Sequence, residues 1–156
     1  MTFVFPTPEN ARDQKLLNDV ARYGWHVVMV PADDEGPGFA FTVGLFARFG
    51  HPEVVIFGLA LDLMHHILNI IGDEVKRDER RYVAGQRYSR LLEGYDCAFL
   101  EVAAEHFPEY LGTAVWLYRR QPFPALQCVW PDRAGAYPWE DRFNPLWRPL
   151  QPLLDR

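Results

Sequence analysis

A histidine set between carboxylates is a ready source of a general base, because one carboxylate can fix the ring's tautomer while the other ring nitrogen takes a proton. The sequence places His51 two residues before Glu53, and the Pro131-Asp132 pair far along the chain supplies a further carboxylate, Asp132. With Thr42, Gln127 and Trp139 as neighbours, these three would line one pocket, the indole of Trp139 serving as a wall against water. The plainer reading of the same residues is structural. His51 caps a turn, Glu53 is a solvated residue at the start of a strand, and Asp132 bonds the backbone of the turn 131–134. Ser89 is the only serine and lies outside any Gly-x-Ser-x-Gly context, so no nucleophile motif accompanies the histidine. His65 and His66 are adjacent, and adjacent helix positions diverge by about 100°. With Asp62 one turn earlier they read as the flank of a helix, and no metal site is expected. No Gly-x-Gly-x-x-Gly or P-loop fingerprint occurs, and no cofactor is expected.

The elements that must position these residues are legible from periodicity. In Phe39–Leu45 the large apolar side chains Phe39, Phe41, Val43 and Leu45 alternate with Ala40, Thr42 and Gly44. A strand built this way has one bulky face and one shallow face, which lets another element or a ligand come close. Val54–Leu59 is an apolar run of strand length, entered through Pro52 after a bend at Arg48–Gly50. Trp25–Val30, Tyr95–Val102 and Ala125–Trp130 read as further strands, making about five, and three consecutive strands with short connections favour antiparallel pairing. Three helices are expected. The first opens at Thr7-Pro8 and stops at Gly24, the second covers 60–76 with Gly72 interrupting its stripe, and the third covers 105–120. Residues 77–94 are polar and receive no element. From Pro122 onward prolines and tryptophans crowd together, and beyond the strand 125–130 a stretch such as 131–139 should lie extended over the body of the protein. The expectation is a single α+β domain over 1–156, with three helices packed on a largely antiparallel sheet and an irregular, aromatic C-terminal segment.

Composition narrows the class of partner. The 156 residues carry a net charge of −5 with no uninterrupted basic block, which argues against nucleic acid. No apolar run reaches the length of a membrane span, and the N-terminus lacks the basic flank of a signal peptide, so the expected location is the cytoplasm. Cys97 and Cys128 match no metal or redox spacing and should be buried, reduced thiols.

Two separated motifs, Phe39–Leu45 followed by His51-Pro52-Glu53, and Leu126–Asp132 followed by Gly135, Pro138-Trp139 and Gln151-Pro152, resemble the bacterial family known as domain of unknown function 4262. The resemblance spans about 24–153, and it implies kinship without an activity, cofactor or catalytic assignment. Phe41 stands where the family pattern has a tyrosine, which argues against an essential phenol there. Two functional readings follow. One is a non-enzymatic binding or regulatory module that meets a protein partner or a second copy through its aromatic C-terminal residues, with Trp130, Trp139 and Trp147 foremost. The alternative is a small metal-independent hydrolase or transferase using His51 with Glu53 or Asp132.

Overall fold

Asn10 opens the first helix: its side-chain oxygen accepts a hydrogen bond from the Asp13 amide at 2.8 Å, and α1 runs from there over Ala11–Arg22. The cap therefore lies three residues beyond Thr7. Asparagine is a strong N-cap, and Asp13 in the first turn complements the helix's positive end. The computed structural model describes residues 3–156. After α1 the order is β1 (His26–Val30), β2 (Phe39–Val43), α2 (Leu45–Phe49), β3 (Glu53–Phe57), α3 (Leu61–Asp78), β4 (Arg87–Leu92), β5 (Tyr95–Glu101), α4 (Phe107–Tyr110), α5 (Gly112–Leu117) and β6 (Ala125–Val129).

One sheet of six strands, ordered β1-β2-β3-β6-β5-β4, divides the interior. Every neighbouring pair is antiparallel except β3 and β6, which run parallel with Glu53 beside Ala125 and Ile56 beside Cys128. The architecture is α+β, with a sixth strand, β4, drawn from the polar stretch that carried no periodic signal. β4 is an edge strand whose exposed Arg87, Ser89 and Arg90 need no apolar face. The expected third helix is broken into two, because Leu111 leaves helical geometry at φ −117° and ψ 31°.

Alternation along the strands sorts the core into two layers. Ala40, Val54, Ile56, Leu126 and Cys128 pack with Met64, Leu68 and Ile71 of α3. Phe41, Val43, Val55, Phe57 and Ala125 pack with Leu16 and Val20 of α1 and with Ala114 and Leu117 of α5. The shallow face of β2 is therefore filled by a helix. Cys97 and Cys128 are both buried and free. No helix among the described residues is long and apolar enough to cross a membrane.

The C-terminal segment contains no strand but is tied to the sheet through two buried glutamines. Gln151 accepts from the Trp130 amide at 3.0 Å and donates to the Trp130 carbonyl at 2.9 Å. Gln127 donates to the Pro152 carbonyl at 2.8 Å and accepts from the Leu154 amide at 2.9 Å. Leu154 itself is buried in the layer beneath α1 and α5.

Candidate functional site

Glu53 is the most enclosed charged residue of the sequence-derived set. Its carboxylate is fully buried at the start of β3, and every neighbour in reach is a donor. Oε1 accepts from the Thr42 hydroxyl at 2.8 Å and the Leu45 amide at 3.2 Å. Oε2 accepts from the Gly44 amide at 2.9 Å, the Phe46 amide at 3.3 Å and the Tyr118 hydroxyl. The hydroxyl protons are committed to Glu53 because both oxygens accept elsewhere: Thr42 from the Val54 amide at 2.9 Å, and Tyr118 from the Ala47 amide at 3.1 Å. Local sequence builds this nest. Gly44 takes φ 118°, in the left-handed region, which ends β2 at Val43 and turns three successive amides of 44–46 toward the carboxylate. Burial pushes the Glu53 carboxyl above its ordinary range, while Tyr118, Gly44 and Thr42 pull it back. Burial likewise pushes the Tyr118 phenol up, with the Glu53 charge adding to it.

His51 is equally committed. It is fully buried, Nδ1 donates to the Pro52 carbonyl at 2.8 Å, and Nε2 accepts from the Tyr82 amide at 3.0 Å. The lone pair that a base would use is therefore occupied. Burial holds its pKa below the ordinary histidine value, and the Arg81 guanidinium pushes the same way. Asp132 makes the turn bonds of the plainer reading and one longer tie. Oδ1 accepts from the amides of Ala134 at 3.0 Å and Ala136 at 2.9 Å, and Oδ2 from the Asn144 amide at 2.9 Å. Burial opposes ionisation of Asp132, but these amides outweigh it and hold its pKa below the usual carboxylate value.

The three groups do not converge. His51 bonds neither carboxylate, and the parallel register puts Glu53 beside Ala125 at the start of β6, whereas Asp132 lies beyond that strand's far end. At roughly 3.3 Å per residue, the five-residue strand alone separates them by about 13 Å. The single pocket joining His51, Glu53 and Asp132 is thus corrected to three separate sets of hydrogen bonds, with no partner in common. Glu53 also departs from the plainer reading, being buried rather than solvated. Thr42 belongs to the Glu53 nest and Gln127 anchors the C-terminal segment, so both face protein. Trp139 is 40% exposed, stacks on Tyr137 at 5.1 Å and makes no hydrogen bond to any of the three.

What does converge is Trp130, Asp132 and Trp147. They border a groove of about 440 Å³ with Leu59, Tyr95 and Leu150 at the carboxyl ends of β3 and β6. The Trp130 Nε1 donates to the Phe57 carbonyl at 2.7 Å, which fixes the indole as a wall. Trp147, half-buried, lies 5.9 Å from Trp130 and has the Arg133 guanidinium 5.9 Å over its ring. The ends of adjacent parallel strands are where open sheets leave crevices.

Sequence reasoning missed Tyr118 as the donor to Glu53, since the two are 65 positions apart and nothing local marks the pairing. It also missed the pair at the other edge, where Asp19 Oδ2 lies 2.7 Å from His26 Nδ1 and 3.1 Å from Lys15 Nζ. No group of three or more His, Cys, Asp or Glu among the described residues is arranged to hold a metal.

The fold and groove define a class: an α+β protein with a six-stranded, largely antiparallel sheet and an aromatic-walled crevice beside its one parallel pair. Within that class the chain belongs to the family described as Domain of unknown function (DUF4262), whose pattern matches residues 19–144. No curated protein and no solved structure matches it.

Proposed function

We propose that this protein acts as a binding module, and that a protein partner's apolar side chain seats in the groove between Trp130, Trp147, Tyr95 and Leu59. The carrying observation is the half-buried Trp147, which packs against the core layer under α3 and still borders a largely apolar groove of about 440 Å³. Large rings at the rim of an unfilled crevice bury the most area when a partner arrives, and such residues dominate interface energetics. Trp139, exposed on the same C-terminal segment, offers a second contact. The imidazole and carboxylates expected of a catalyst are, by contrast, spent on backbone groups.

The test uses 8-anilinonaphthalene-1-sulfonate as a stand-in for an apolar group. The wild-type chain should bind it saturably, with energy transfer from tryptophan. Trp147→Ala should bind at least about tenfold more weakly, the loss expected for one buried aromatic contact, while its circular dichroism stays that of the parent. No saturable binding to the parent, or equal affinity in the variant, would overturn the assignment.

A further inference from the structure

At the β4–β5 hairpin the tryptophan groove adjoins a larger cavity of about 860 Å³, and Leu92, Glu93, Tyr95 and Pro131 border both. Leu63, His66 and Ile70 of α3 line this second cavity together with β4. The strand is irregular there: its pairing with β5 shifts register between Tyr88 and Leu92, and Arg90 takes φ 73°, in the left-handed region. Arg87 and Arg90, an odd number of positions apart, would point to opposite faces of a regular strand. The irregularity lets both border one cavity.

The guanidiniums along this trough have no anion. Arg87 lies 4.3 Å over the ring of Tyr137, and Arg133 lies 5.9 Å over that of Trp147. Tyr137 is itself fixed, being buried and donating its hydroxyl to the Asp96 carbonyl at 2.8 Å. A guanidinium held by its face keeps its N–H edge for an acceptor. Among the described residues, no hydrogen bond or ion pair engages the guanidinium of Arg87, Arg90 or Arg133. Carboxylates share the lining. Asp132 is committed to three backbone amides, while Glu93 and Asp96 are exposed and held by no partner. Folding therefore leaves three guanidiniums beside two uncommitted carboxylates, and two of the guanidiniums rest on rings. A cation already held in place loses less freedom on binding than a carboxylate that is not. Glu93 and Asp96 repel dense negative charge, which favours a single carboxylate over a phosphate dianion.

Building on the groove reading above, we propose that the partner's apolar side chain is accompanied by one Asp or Glu side chain, which the free edges of Arg87, Arg90 and Arg133 receive. The recognised chemistry is an apolar group beside a single negative charge.

The test compares 8-anilinonaphthalene-1-sulfonate with N-phenyl-1-naphthylamine, the same ring system without the sulfonate, on the full chain. In Arg87→Gln combined with Arg133→Gln, the ratio of the two affinities should fall by about fivefold or more through the sulfonate alone, the effect of one well-placed ion pair. Arg90→Gly, which suits the positive φ at that position, should lower the ratio in the same direction. Trp147→Ala should weaken both probes. The peptides acetyl-Phe-Glu-amide and acetyl-Phe-Gln-amide carry the comparison to the carboxylate itself. The first should displace the uncharged probe from the parent at about fivefold lower concentration, and lose that advantage in the double arginine variant. A ratio unchanged in the double variant, or equal displacement by the two peptides, would overturn the acidic partner and leave the groove standing. Failure of both probes to saturate the parent would overturn the groove itself, and this inference with it.

Discussion

Glu53 shows how far a residue's type underdetermines its role. In the sequence it is a carboxylate two positions from a histidine; in the fold it organises five donors from β2, the turn into α2 and its first residues, and Tyr118 at the end of α5. The pairing His51-Pro52-Glu53 was visible, but the direction of each side chain was not, because Gly44 and Tyr118 supply the nest from outside the motif. Asp132 was more legible, since an aspartate before a glycine-containing turn bonds backbone close by in sequence. Tyr118→Phe tests the nest. It removes a hydroxyl that donates to Glu53 and accepts from Ala47, leaving buried groups short of partners at a cost of about 2 kcal/mol. The sign of its pH dependence also follows. The Glu53 pKa in the folded state lies above the ordinary 4.5, so folding takes up a proton there, and the group's contribution to stability is greatest below that value and declines as pH rises through the folded pKa. Losing the Tyr118 hydroxyl, which holds that pKa down, moves the folded value further up. Urea unfolding at several pH values between about 5 and 8 should show the variant's deficit widening with pH. A pH-independent deficit would mean that the hydroxyl matters only as packing.

At the scale of elements, strands and helices with strong apolar periodicity were legible, and the exceptions have local causes. β4 was invisible because an edge strand with solvated arginines does not alternate in hydrophobicity. The break at Leu111 was invisible because its residues keep the apolar stripe of a helix while the backbone departs from it. Gly72 interrupts the apolar stripe of α3 but not the helix, which runs through it from Leu61 to Asp78. Its lack of a side chain serves packing, because a Cβ there would overlap the indole of Trp25. That ring cannot easily retreat, being pinned by its Nε1 bond to the Asn69 side chain at 3.0 Å. Gly72→Ala should therefore destabilise the protein. The gain in helix propensity is about 1 kcal/mol, overpacking a held ring costs about 1–3 kcal/mol, and the balance is a loss of about 1 kcal/mol in chemical denaturation. In a Trp25→Leu background the overlap is gone, and the same Gly72→Ala change should become neutral or stabilising. If the two substitutions were additive, the glycine would have another reason to be there.

Across the whole molecule, the α+β architecture was legible because amphipathic helices and alternating strands together leave few ways to bury both sheet faces. How the ends of the chain close that structure was less so. Residues 145–156 lie beyond the stretch matched by the family pattern, which ends at 144, yet they are joined to the centre of the sheet. Gln151 brackets Trp130 with two hydrogen bonds, Gln127 reaches Pro152 and Leu154, and the Ala103 amide donates to the Leu154 carbonyl at 2.7 Å. Cutting the chain after Asn144 would expose the Leu154 site, strip both bonds from the fully buried Gln127 side chain and remove the Trp147 wall of the groove. One buried leucine is worth about 2 kcal/mol, and each buried polar atom left unpaired costs about 1–3 kcal/mol. The loss therefore reaches at least about 4 kcal/mol, a large part of the 5–15 kcal/mol that holds an ordinary domain folded. The truncated chain should melt far below the parent in calorimetry, and as one transition, because the segment lies on the central strand β6 and not on a separable lobe. A truncated chain that melts with the parent would show that water replaces the glutamine contacts at little cost. The groove would then be open on the Trp147 side without loss of the fold.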